Sequence, residues 1–148
     1  MKHLSPAGLS PVPARTGGAP PRWVVAVVLV ASVLCAAGAV VAWWHPVLLV
    51  SRDSEINQAA RVYAGYLISR NLALAVALMT LLGLRCHRML AGALVLTALI
   101  QLLDAAIDAG TGRLPLVPGL TVLAAALLAA ATRVSPQHLW HLAAWRTL

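Results

Sequence analysis

Four stretches of the chain, Trp23 to Trp43, Val62 to Leu84, Met89 to Ala109 and Leu116 to Thr132, are apolar almost throughout, and most of the polar residues gather between them. The apolar positions are continuous, so none of the four segments has a water-facing side. Runs of about twenty residues match a hydrocarbon core of about 30 Å at 1.5 Å per residue. The pattern predicts an all-α fold, a bundle of four transmembrane helices. The fourth run is the shortest, about 25 Å if fully helical.

Two runs break the pattern. Arg70 lies inside the second, and the third carries Thr97, Gln101, Asp104 and Asp108 at spacing i, i+4, i+7, i+11, which puts all four on one helical face. Counted inward from Arg61 or Tyr63, Arg70 sits roughly 10 to 13 Å below one membrane boundary, and Asp104 sits about 9 Å below the same boundary counted from Gly110. An antiparallel hairpin closed by Arg85, Cys86, His87 and Arg88 therefore brings Arg70 and Asp104 together. A lone charge at mid-bilayer costs about 2.5 to 3.5 kcal/mol on insertion scales, so pairing the two is the economical arrangement. Gln101 or Asp108 would cap the spare donors of Arg70, with Tyr66 one turn nearer the interface.

The segments between the runs read as turns and tails. Residues 1–21 are rich in Pro, Gly, Ala and Ser without apolar periodicity, as in a disordered tail. The first run is too long for the apolar region of a signal peptide and is bounded by tryptophans suited to the interfaces, so it reads as a retained span. Small residues Ser32, Ala36, Gly38 and Ala42 would let another helix approach it closely. Pro46 ends that helix. Asp53 or Ser54 is placed to cap the second, which from Ser54 to Leu84 would be about 45 Å long and so begin outside the bilayer. Gly110, Thr111, Gly112 and Arg113 make a tight turn, and residues 134–148, with Trp140 and Trp145, suit an amphipathic helix lying on the membrane surface. The domain plan is thus a tail (1–21), a four-helix membrane domain (22–133) and an interfacial segment (134–148).

Composition agrees with this plan: of 148 residues 61% are hydrophobic and 10% charged, too few charges to cover a soluble domain. A net charge of +7 would point to nucleic acid in a soluble protein, but the basic residues flank apolar runs, so they read as topology signals and contacts to lipid head groups. Counting Lys2, Arg15, Arg22, Arg85, Arg88, Arg133 and Arg146 on one side against Arg52, Arg61 and Arg113 on the other places both termini in the cytoplasm of a multi-pass cell-membrane protein. Preference for Arg over Lys, with abundant Ala, Val and Leu, suits a GC-rich bacterial genome. Expected partners are the lipid bilayer and either a second copy of the chain or another membrane protein, with no nucleic acid.

Catalytic parts are not evident: there is no glycine-rich phosphate loop, nucleophile elbow or metalloprotease pair. His138 and His141 could offer two metal ligands without an evident third. Cys35 and Cys86 fall at depths about 15 Å apart, beyond disulfide reach. No enzyme activity, cofactor or metal is expected.

The run Ser69-Arg70-Asn71-Leu72-Ala73-Leu74-Ala75, with Gln101-Leu102-Leu103-Asp104-Ala105-Ala106-Ile107-Asp108 beyond a basic turn, resembles the small four-helix bacterial membrane proteins of the DoxX-like and related unknown-function families. The resemblance covers Tyr63 to Arg133 and implies a four-helix membrane architecture, with Arg70 and Asp104 as recurrent positions and no assigned activity. The Pro-rich N-tail and the Trp/His-containing C-terminal segment depart from it. Small four-helix multidrug exporters need an acidic residue in helix one, and this chain has none there. The expectation is a structural or accessory membrane component held by an intramembrane Arg-Asp cluster, with a small-solute or proton-linked transporter using Arg70, Gln101, Asp104 and Asp108 as the alternative.

Overall fold

The computed structural model describes residues 19–45 and 58–135. Within them lie four α-helices: α1 (Arg22–Trp44), α2 (Gln58–Gly83), α3 (His87–Gly110) and α4 (Val117–Val134), with a 3-10 turn at Leu114–Leu116 leading into α4. All four are long and apolar enough to cross a membrane, and the turn lengthens the fourth apolar segment to 21 residues. The chain is an all-α four-helix bundle that fits a multi-pass integral membrane protein. The expected cap at Asp53 or Ser54, the tail before residue 19, and the C-terminal segment with His138 and His141 lie outside the described residues.

Helix ends follow from local chemistry. At the end of α2, Cys86 N–H bonds Leu81 O and Arg85 N–H bonds Leu82 O, both at 3.2 Å, the paired bonds of a Schellman closure. Arg85 occupies its left-handed position, φ +54°. The turn is therefore Leu84 to Cys86, and His87 and Arg88, expected within it, already form the first turn of α3. The α3 end repeats the motif: Arg113 N–H bonds Asp108 O at 2.8 Å and Gly112 N–H bonds Ala109 O at 3.3 Å, with Gly112 at φ +79°. Gly110, expected within the turn, is still helical; the left-handed residue is Gly112.

The helices associate as two hairpin pairs. Packing is closest between α1 and α2 and between α3 and α4, and lighter between α2 and α3 and between α1 and α4. On α1 the buried positions Val24, Val28, Ala31, Cys35, Ala39 and Ala42 alternate three and four apart, the stripe that suits a left-handed bundle. Lipid tails are as apolar as leucine, so close approach over small side chains, rather than escape from the surroundings, holds such pairs. Ala31, Ala91, Ala98, Ala124, Ala130 and Ala131 accordingly sit in the core beside Leu78, Leu90, Leu94 and Leu127. Leu29, Val30, Val33, Val76, Leu96, Leu103 and Val122 face outward, as a lipid-facing surface requires.

This core fills one half of the bundle, built from the first half of α1, the end of α2, the first half of α3 and the end of α4. Its few hydroxyls are satisfied within their own helices: Ser32 Oγ donates to Val28 O and Thr97 Oγ1 to Ala93 O, both at 2.8 Å. The other half is built differently.

Candidate functional site

In the half that carries the end of α1 and the α3–α4 turn, a cavity of about 540 Å³ lies among all four helices. Its walls are largely apolar, with Leu34, Leu74, Ile100 and Leu123 among them, and its polar lining comes from Arg70, Asn71, Gln101, Asp104, Asp108 and Arg113. Polar groups and open space thus occupy the same half, and close packing occupies the other.

Arg70 and Asp104 meet across the gap between α2 and α3 as expected from their depths. Nη2 donates to Oδ2 at 2.9 Å and Nη1 to Oδ1 at 3.4 Å, a bidentate pair between residues 34 apart in sequence. The guanidinium fork matches the carboxylate in direction as well as charge, so the contact is directional. Both side chains keep about a third of their surface open, 38% for Arg70 and 30% for Asp104. Arg70 Nε is buried without a hydrogen-bond partner among the described residues.

Asp108 does not cap Arg70. It faces Arg113, with Oδ1 and Nη1 3.6 Å apart. The Schellman closure accounts for this: left-handed Gly112 folds the chain back so that the residue after it lies over the last turn of α3. A charge that reads in sequence as a loop cation thereby becomes part of the cavity wall.

The remaining expected residues divide. Gln101 lines the cavity. Thr97, on the same stripe, does not: it is fully buried and bonded to its own helix, nearer the packed half. Tyr66 is 69% exposed on the outer surface of α2 and does not line the cavity.

Besides Arg113, the lining includes Cys35, Gly38 and Asn71, which were not expected there. Gly38 leaves room for Asn71, whose Nδ2 lies 3.0 Å from where a Cβ on residue 38 would stand. The signals were the amide set beside Arg70 in an apolar run and the glycine within the first one. Cys35 and Cys86 are both free thiols, Cys35 buried against the cavity. Among the described residues no cluster of three or more His, Cys, Asp or Glu side chains could hold a metal ion.

Protein-family models, curated proteins and solved structures were all compared with the chain, and none matches.

Proposed function

We propose that this is a multi-pass cell-membrane protein, both termini cytoplasmic, that receives a small molecule in the cavity between its two helix hairpins. The observation that carries this reading is the cavity itself, placed where the polar residues of α2 and α3 converge. Seven Lys and Arg residues flank the cytoplasmic ends against three at the others, so the cavity half would face the outer leaflet. Its size falls in the range of small-molecule sites, about 300 to 1,000 Å³, and its mostly apolar lining with a few convergent polar groups is the usual makeup of such sites.

In this reading the Arg70–Asp104 pair has a mechanical task. It holds α2 and α3 together where they are too far apart for close packing, and so keeps the cavity walls in place. A small-solute transporter and a binding accessory both need that wall. The likeness to DoxX-like proteins through Ser69 to Ala75 and Gln101 to Asp108 suits either role, and no catalytic residue is proposed. A purely structural component is the second reading, favoured by the mutual satisfaction of Arg70 and Asp104.

The two readings separate on access to Cys35. In full-length Cys86→Ser protein reconstituted in nanodiscs, a ligand-receiving cavity leaves the Cys35 thiol reactive toward methyl methanethiosulfonate. Leu120→Trp, which fills the cavity from α4, should slow that reaction about tenfold or more, the weight of one lost order of access. A thiol that never reacts, or one indifferent to Leu120→Trp, supports the structural component instead.

A further inference from the structure

Three features of the cavity constrain what it could hold. Its four charged side chains are two arginines and two aspartates, so the lining is electrically balanced. Each charge already has an opposite partner: Asp104 takes both Nη atoms of Arg70, and Asp108 faces Arg113. Of the three N–H donors Arg70 has left over, the one on Nε is buried without a partner, and the other two sit on the Nη atoms that already hold Asp104. An entering carboxylate or phosphate would have to displace Asp104 from Arg70 or share the guanidinium with it, setting two anions side by side against an apolar wall, and an entering cation would meet Arg70 beside Asp104 in the same way. Either arrangement is less favourable than the closed pair, by less than for a fully buried one because about a third of each side chain is open.

What stands ready is neutral. The carboxamides of Asn71 on α2 and Gln101 on α3 line the cavity, one from each hairpin, and neither bonds another described residue. Each offers both a donor and an acceptor. Around them Leu34, Leu67, Leu74, Ile100, Leu120 and Leu123 supply apolar wall.

We infer that the cavity selects an uncharged amphiphile: an apolar body seated on the leucines, with one polar head, such as a primary amide or alcohol, shared between Asn71 and Gln101. The inference rests on the ligand-receiving reading above and names its ligand class. A free anion, a free cation and a fully apolar molecule are each disfavoured, the first two by the closed ion pairs and the third by two carboxamides left without partners.

Probes of one shape and different heads test it. Butylbenzene, 4-butylbenzamide, 4-butylbenzoate and 4-butylbenzylammonium share a body, and their binding is read as protection of Cys35 from methyl methanethiosulfonate in full-length Cys86→Ser protein in nanodiscs, scored by intact mass. The benzamide should protect at about tenfold lower membrane concentration than butylbenzene, the weight of two ordinary hydrogen bonds, and the two charged probes should protect less well than the benzamide. Asn71→Leu and Gln101→Leu, singly and together, should remove the advantage of the amide while butylbenzene protects at least as well as in the parent. Equal or better protection by the benzoate or the ammonium overturns the ligand class, as does an amide preference that survives both leucine substitutions; in either case the cavity reading stands. Absence of protection by every probe, butylbenzene included, or a Cys35 that never reacts, overturns the cavity reading itself.

Discussion

Replacing Asp104 by Asn removes one charge and keeps the shape, so it isolates what the carboxylate does for Arg70. Two effects combine. The direct contact is an interhelical polar interaction, worth about 0.6 kcal/mol on average and up to about 1.7 kcal/mol in membranes. The second is the arginine left behind: an unpaired charge at mid-bilayer costs about 2.5 to 3.5 kcal/mol, discounted here because 38% of the Arg70 side chain is open. Asp104→Asn should therefore destabilise the bundle by about 2 kcal/mol. Arg70→Gln strands the aspartate and should act in the same direction. The double variant has no orphan charge, so it should be more stable than either single, with a coupling near 1 kcal/mol or more. Unfolding of the reconstituted protein by increasing mole fraction of dodecyl sulfate, followed by far-ultraviolet circular dichroism, measures all three. If the two single losses simply add within about 0.5 kcal/mol, the residues act independently and the pinning role assigned to them is wrong.

Four further substitutions probe single features by the same unfolding assay. Gly112→Ala places a Cβ in open space but at φ +79°, so it should lose about 1 kcal/mol from backbone strain alone and loosen the Asp108–Arg113 contact. Gly38→Ile should lose more than about 2 kcal/mol, because even its Cβ would stand 3.0 Å from Asn71 Nδ2, whereas Gly65→Ala, with nothing within 4 Å, should be neutral or slightly stabilising. Thr97→Val should stay within about 1 kcal/mol of the parent and leave Cys35 reactivity unchanged, since the Thr97 hydroxyl bonds only its own helix; a large change in that reactivity would put Thr97 back in the cluster.

Much of the architecture is legible in the sequence because the membrane simplifies the problem. A span needs length and apolarity, and the four runs carry both, so their bounds agree with the helices to within a few residues. The Arg70–Asp104 pair is equally legible, since an antiparallel hairpin fixes relative depth and a charge in hydrocarbon has few partners to choose from. Apart from Gln101, the uncharged lining is not. Asn71, Gly38 and Cys35 join the cavity through the rotation of α1 against α2, and that rotation is set by which small residues meet, a matter of packing rather than of pattern. Asp108, one of the two residues expected to cap Arg70, is drawn elsewhere for a related reason: Arg113 is brought back to it by a turn whose left-handed residue is Gly112.

Why the polar residues and the open space coincide follows from reach. Where α3 and α4 meet over Ala91, Ala98, Ala124, Ala130 and Ala131, the two helices pack closely and little room remains for a long side chain. Between α2 and α3 the packing is lighter, and the space is bridged by the combined length of an arginine and an aspartate, held end to end at 2.9 Å. Such a strut resists both compression and separation, since shortening it forces side chains off their rotamers and lengthening it exposes two charges to hydrocarbon. A cavity lined only by leucines would have nothing to stop the helices closing on it; one braced by a bidentate ion pair keeps its width. In the proposed reading, then, the charges would matter without touching a guest, whose recognition is assigned to the neutral amides beside them.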